Sequence, residues 1–269
     1  MGDKSLRRSL RPPDSLLMTF QHFPPDRISL NGKRHYIVPS GLSCVQEGLV
    51  LPSMTTVLSA TAPVSKIMAL MNWRKRVGPE EANRRTRMAA DRGTWLHKVI
   101  EDFFDEQDIE TALDLSPKYR PYFDVIYDFL LTIDQCVLAE SAIAYWFDPS
   151  FGYTGTFDQL AIIDGQYVLI DWKTSYKEKP DYQLADYRQQ LGGYAQAIEQ
   201  MYGIEIDRAL CVIAVYDPED PESKPSRQII EADGGELVAL GALVRQRTVQ
   251  YFINHYPGSR PFTLTMDRG

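Results

Sequence analysis

The stretch GTFDQLAIIDGQYVLIDWK, residues 155–173, constrains the fold of this chain more than any other. It consists of two apolar runs joined by Asp164 and Gly165, and an Asp-Gly pair between alternating apolar residues is the strongest short-range signal for a hairpin with a two-residue loop. The register follows. With that loop, Ile163 faces Gln166, Leu160 faces Leu169, Thr156 faces Lys173, and Asp158 falls directly opposite Asp171 on one sheet face. Opposed residues have Cβ atoms about 5 Å apart, where two carboxylates repel, and flanking pairs such as Leu160 with Leu169 keep bulk water away. Positive charge is needed between them. Lys173 shares the face, because strand positions two apart point the same way, but one ammonium clamps two carboxylates poorly. A divalent cation with oxygen ligands is the better counter-charge. A buried ion-pair cluster of Asp158, Asp171 and Lys173 is the alternative without a metal.

At 269 residues and 44% hydrophobic content, the chain can bury a sizeable core in one large domain or in a domain with a helical insertion. No apolar run approaches the roughly 18 residues of a membrane helix, and residues 1–11 lack the apolar centre of a signal peptide. Arg7, Arg8, Arg11 and nearby serines resemble a transit peptide, against which Asp3 and Asp14 argue. Cys44, Cys136 and Cys211 are far apart and odd in number, which fits neither a disulfide framework nor a CxxC metal site. A reducing cytoplasm is the expected compartment, with the mitochondrion as the lesser alternative.

The net charge of −7 speaks against a polyanionic partner until it is mapped. Residues 66–98 hold nine basic side chains (Lys66, Arg74, Lys75, Arg76, Arg84, Arg85, Arg87, Arg92, Lys98) against Glu80, Glu81 and Asp91. Charge segregated in this way steers a polyanion to one face, and an ordinary solvated helix surface is the plain alternative.

The periodicity predicts a short strand at 35–38 and, within 51–58, a short helix capped by Ser53 or Thr55. It predicts helices at 65–72, 79–104 and 118–133, strands at 136–146, 152–163 and 167–174, a helix at 180–202, strands at 208–215 and 228–230, and a helix at 235–254. The order α-β-β-β-α-β defines an α/β (α+β mixed) fold, a mixed central sheet flanked by helices. Residues 1–50 read as an N-terminal extension with little chemistry. Residues 51–256 read as one domain, with a mainly helical part at 66–133, a basic cover at 66–98 and a sheet-bearing core at 136–230, and 257–269 as a tail. Gln190 and Tyr194 are four apart and share a helix face, for a ligand or for core packing beside Leu184, Tyr187, Leu191 and Ile198. Gly192 and Gly193 each cost about 1 kcal/mol in mid-helix, which predicts close approach of that backbone to the sheet or to a phosphate.

Gly155-Thr-Phe-Asp158 followed by Ile170-Asp171-Trp-Lys173 resembles the PD-(D/E)XK nuclease superfamily. Arg92-Gly-Thr-Trp-Leu-His97, Glu140-Ser and Gln190-Leu-Gly-Gly-Tyr194 are similar to its RecB-type branch. Pro52-Ser-Met-Thr-Thr-Val-Leu-Ser-Ala-Thr61 and Trp73-Arg-Lys-Arg-Val-Gly-Pro-Glu-Glu-Ala82 resemble more narrowly the mitochondrial genome maintenance exonuclease group and its bacterial and phage relatives. The resemblance implies a restriction-endonuclease-like core and a DNA exonuclease acting on single-stranded ends in repair, replication or recombination. The alternatives are a restriction-like endonuclease or an inert nucleic-acid-binding protein of the same fold. It implies Asp158, Asp171 and Lys173 as catalytic residues, and one or two Mg²⁺ or Mn²⁺ ions on Asp158, Asp171, His97, Glu140 and the Trp172 carbonyl. Glu140 as an edge-strand surface residue and His97 as a satisfied helix histidine are the plain alternatives. Gln190, Tyr194, Arg92, Arg74, Lys75, Arg76, Arg84 and Arg87 are implied to touch substrate. The cysteines do not suit the branch's iron-sulfur variants, and no Walker A sequence predicts a nucleotide site. Single-stranded DNA is the expected partner, with other replication, repair or phage proteins as further ones. A monomer and a cytoplasmic bacterial or phage-encoded setting complete the expectation.

Overall fold

The structure, a computed structural model, describes residues 20–38, 49–105, 107–148 and 151–256. The expected transit-peptide-like start, Cys44 and the tail at 257–269 therefore lie outside the described residues. A small antiparallel sheet comes first, β1 (Arg27–Leu30), β2 (Lys33–Ile37) and β3 (Val50–Pro52) in that order. Its hairpin turns at Asn31 and Gly32, whose φ of 51° and 71° suit a two-residue loop. Five helices follow: α1 (Met54–Ala60), α2 (Val64–Val77), α3 (Pro79–Phe104), α4 (Glu110–Leu115) and α5 (Arg120–Leu130). Ser53 is the cap of α1, its Oγ accepting from the Thr56 N–H at 3.0 Å. Gly78, at φ 86°, ends α2, and Pro79 opens α3 at a position where its missing N–H costs nothing. No residue of α2 is buried.

The main sheet has the order β4 (Gln135–Asp148), β5 (Phe151–Ile163), β6 (Gln166–Ser175), β7 (Arg208–Val215) and β8 (Ser226–Asp233). All neighbours are antiparallel except β6 and β7, which are parallel and joined through α6 (Ala185–Tyr202). The closing helix is α7 (Gly234–His255). This is the mixed α/β architecture of a restriction-endonuclease-like core, with helices on both faces.

Strand alternation sorts the two cores. Val168, Ile170 and Trp172 of β6 pack with Leu96, Ile100, Tyr122 and Ile126 of α3 and α5. Leu169 packs with Leu191 and Ile198 of α6 and Val244 of α7, and Cys211 and Ile213 of β7 lie in the same cluster. Polar residues at 171 and 173 therefore face α6. The close approach expected at Gly192 and Gly193 occurs against helices, not against the sheet or a phosphate. A Cβ at Gly192 would lie 2.5 Å from Leu240 Cβ and 2.6 Å from Gly241 N on α7, and one at Gly193 would meet Met54 and Val244. Glycine removes the side chain that would hold α6 away from α7 and α1.

Candidate active site

The β5 and β6 hairpin has the expected register from Ile163 with Gln166 to Gln159 with Ile170, and there the ladder stops. β6 runs on beside β7 as far as Ser175 with Val215, while β5 follows β4, so the sheet splays where Asp158 and Asp171 would have paired. The Trp172 N–H, released from the ladder, donates to Asp158 Oδ2 at 2.7 Å. The two carboxylates do have an ammonium between them. Lys173 Nζ lies 2.5 Å from Asp171 Oδ2 and 3.7 Å from Asp158 Oδ2. Burial pushes the Asp171 carboxyl above its ordinary range, and Lys173 only partly offsets this. Burial alone would lower Lys173, but Asp171 and Asp158 hold it well above the usual lysine range. The side chain of Asp171 is 1% exposed and its Oδ1 has no hydrogen-bond partner.

Glu140 on β4 falls across from Asp158, between the ladder pairs Ala139 with Gln159 and Ser141 with Phe157. Its φ of 46° lies in the left-handed region that a glutamate rarely adopts. Its Oε1 is 2.8 Å from His97 Nδ1, and His97 Nε2 is 3.0 Å from the Trp172 carbonyl oxygen and 3.6 Å from Asp158 Oδ2. Burial lowers the His97 pKa, yet Asp158 and the Glu140 hydrogen bond outweigh it and raise the group to about 9.

One ligand atom each from His97, Glu140 and Asp158 lies within 4.8 Å of the others. Two carboxylates and an imidazole, with the Trp172 carbonyl close by, fit a hard to borderline divalent cation such as Mg²⁺ or Mn²⁺. Asp171 stands outside this group, engaged by Lys173.

These side chains border a cavity of about 450 Å³, whose wall includes His97, Glu140, Asp158, Lys173, Gln190 and Tyr194. Gln190 and Tyr194 are buried parts of that wall, and Gln190 Oε1 lacks a hydrogen-bond partner. Arg92 is placed differently from the expectation of a substrate contact. It is 2% exposed and its guanidinium lies between the Tyr122 and Tyr176 rings, 4.9 and 4.4 Å from their centres. Arg74, Lys75, Arg76, Arg84 and Arg87 do not belong to the cavity wall. Arg84 is held by Glu81 and Glu219, Arg74 donates to Asn83, and Lys75, Arg76 and Arg87 are exposed. The wall does include Arg27, Arg34 and Tyr36, from a region read as carrying little chemistry. Asn31-Gly32, the dipeptide most favoured in a two-residue hairpin loop, is the signal that points to their hairpin.

A cluster with the ligand types of a divalent-cation site beside a lysine-held carboxylate is chemistry suited to hydrolysing phosphate esters. Residues 70–251, more than half of the chain, match the PD-(D/E)XK nuclease superfamily, and the chain belongs to it. The chain is also similar to mitochondrial genome maintenance exonuclease 1 from three vertebrates. Identity is 26% over 175 residues for Homo sapiens, covering 62% of this chain and 50% of that protein. It is 26% over 224 residues for Mus musculus, covering 80% and 65%, and 27% over 179 residues for Xenopus tropicalis, covering 62% and 49%. The chain thus spans about half to two thirds of the length of these relatives. The cytoplasmic expectation is corrected by the same matches. All three relatives are named as mitochondrial proteins, which favours that setting over a bacterial or phage cytoplasm. Among the described residues no single helix is long and apolar enough to cross a membrane.

Proposed function

We propose that this chain is a divalent-metal-dependent deoxyribonuclease that hydrolyses phosphodiester bonds, working inward from single-stranded ends. The observation that carries the nuclease reading is the grouping of His97, Glu140 and Asp158 at a cavity that Lys173 also lines. Support for end-directed action comes from the exonuclease names of the relatives.

Asp158, Glu140 and His97 would hold one Mg²⁺ or Mn²⁺ ion, with Asp171 and the Trp172 carbonyl available for it or for a second, and the imidazole leans the set towards Mn²⁺. Such a cation, when bound, supplies positive charge at the phosphate and acidifies water enough for attack at neutral pH. Asp171 and Asp158 hold Lys173 protonated in the metal-free protein, so it enters the site as a hydrogen-bond donor. Its role is to position the attacking water and offset charge on the phosphoryl oxygens. Attack forms one P–O bond as the bond to the departing strand breaks. The water gives up a proton to solvent and the departing oxygen takes one up from solvent, leaving a phosphomonoester end and a hydroxyl end. Gln190, with an unpaired Oε1, and Tyr194 would contact the strand from one face of α6.

A restriction-like endonuclease is the second reading, favoured by one observation. No residue of α2 forms part of the cavity wall, so the basic helices need not enclose the strand. The intact set of Asp158, Asp171 and Lys173 argues against an inert binding protein. Labelled linear single-stranded, duplex and circular single-stranded DNA, incubated with Mg²⁺, Mn²⁺ or EDTA, separates these readings. End-directed action predicts metal-dependent loss of linear strands and survival of circles. Rapid nicking of circles moves the assignment to an endonuclease, and no cleavage in either metal removes the nuclease reading.

A further inference from the structure

The β1 and β2 hairpin lies outside residues 70–251, yet it walls the same cavity as the candidate catalytic groups. Its alternation splits its basic residues between two faces. Lys33, opposite Leu30, reaches over the Tyr251 ring of α7 at 5.5 Å. Arg34 and Tyr36 share the other face of β2 with Arg27 of β1, and all three line the cavity. Arg27 pairs with Tyr36 and Arg34 with Ser29, which makes the two arginines diagonal neighbours, with Cβ atoms roughly 7–8 Å apart or less.

Both arginines are exposed, and among the described residues neither side chain has an ion pair or hydrogen bond. That distinguishes them from Arg84, Arg85, Arg208 and Arg247, each held by a carboxylate. The cavity wall also contains Glu140 and Asp158, so the two guanidinium groups border an acidic site without being neutralised by it. Their backbone is fixed. The Arg34 carbonyl accepts from the Ser53 N–H at 3.0 Å and from Thr56 Oγ1 at 2.9 Å, which ties β2 to the start of α1. Planar forks of uncommitted donors on a braced strand match phosphate better than any neutral ligand.

We propose that this hairpin is a phosphate-binding lip of the cleft. Arg27 and Arg34 grip backbone phosphates of a single DNA strand next to the scissile one. The lip rests on the nuclease reading above for the identity of its ligand. It extends that reading by giving the strand a second anchoring point outside the family-matched segment.

The test uses the full chain and a fluorescein-labelled oligothymidylate, titrated in Ca²⁺ across a salt series. An Arg27→Gln/Arg34→Gln variant is expected to bind at least tenfold more weakly at low salt. Its slope of log K against log salt should be shallower by about 1.4, two contacts at about 0.7 each. Its melting temperature and the rise produced by Mn²⁺ should match the wild type. An unchanged slope and affinity in the folded variant overturn the lip. If the double variant fails to fold, each single variant should lose about 0.7 of slope, and two unchanged singles overturn the proposal equally. Wild-type protein that binds the strand but never cleaves it in Mn²⁺ overturns the nuclease reading while leaving the lip testable by the same slopes.

Discussion

The Trp172 N–H donates to Asp158 Oδ2 at 2.7 Å, and that bond takes the place of the ladder where β5 and β6 part. Asp158 therefore has two tasks, closing a backbone donor and presenting charge to the site. Asp158→Asn keeps an acceptor and loses the charge, whereas Asp158→Ala loses both. Asp158→Ala should be the less stable of the two by about 1–3 kcal/mol, the cost of a buried donor left unpaired. Both should lose the rise in melting temperature that Mn²⁺ gives the wild type. A full Mn²⁺ response in Asp158→Asn would remove this carboxylate from the metal set.

His97 holds its proton to about pH 9, because Asp158 and Glu140 outweigh the burial that would lower its pKa. A histidine raised above its unfolded value of 6.5 contributes stability fully below that pH and loses it as pH rises through 9. The metal-free protein should thus lose stability between about pH 6.5 and 9, and His97→Gln should flatten that limb. The same proton opposes metal binding, since only neutral imidazole is a ligand. Loading at pH 7 should release about one proton per ion, read by calorimetry in phosphate and in Tris. Heats independent of the buffer would contradict this account.

Glu140 keeps a left-handed φ of 46° that costs an L residue about 1–2 kcal/mol. Glycine adopts that backbone freely. Glu140→Gly should therefore resist urea better than Glu140→Ala by about 1 kcal/mol, although both lose the carboxylate and with it the Mn²⁺ response. Equal midpoints for the two variants would show that the backbone relaxes there without strain.

How far the sequence reaches can be followed along the hairpin. Turn chemistry and alternation specify every pair from Ile163 with Gln166 to Gln159 with Ile170. The splay beyond is invisible in that stretch, because the strands that β5 and β6 go on to follow, β4 and β7, lie outside it, β7 some forty residues further on. Asp158, Asp171, Lys173, Glu140 and His97 do come together, Lys173 paired with Asp171 beside the cluster of His97, Glu140 and Asp158. β1 and β2 have four and five residues, and the Lys33-Arg34-His35 run leaves β2 without apolar alternation, so Arg27 and Arg34 go unnoticed. Gly192 announces a close approach without naming α7 as its partner. Local pattern specifies local geometry, and the partner of a face is decided by the rest of the chain.

Arg92 illustrates the same limit and yields a prediction. Its guanidinium is buried between Tyr122 and Tyr176, an arrangement in which the desolvated cation and two ring faces contribute about 2 kcal/mol or more. Arg92→Ala should lower the melting temperature by several degrees, and Arg92→Lys should not restore it, because an ammonium lacks the flat face that stacks. The salt dependence of DNA binding should stay as in the wild type. A shallower slope with unchanged stability would return Arg92 to the substrate contacts.

Lys173 stands 2.5 Å from Asp171, whose side chain is 1% exposed, so removing the lysine alone tests two things at once. Lys173→Ala leaves a buried carboxylate without its counter-charge, at a cost of about 3–5 kcal/mol unless the group takes up a proton. Loss of cleavage in that variant could then reflect a disturbed fold. Replacing both members of the pair separates the effects, since a buried pair exchanged for neutral groups of similar volume is often neutral or stabilising. Lys173→Met with Asp171→Asn should recover most of the melting temperature that Lys173→Ala loses. Cleavage should stay down in both, by about 10²–10³-fold or more under single-turnover conditions, because the donor proposed to act on the water and phosphate is gone. Binding of single-stranded DNA should persist in both, carried by arginines elsewhere in the cleft. A double variant that folds like the wild type and cleaves at its rate would make Lys173 a structural partner of Asp171 and nothing more.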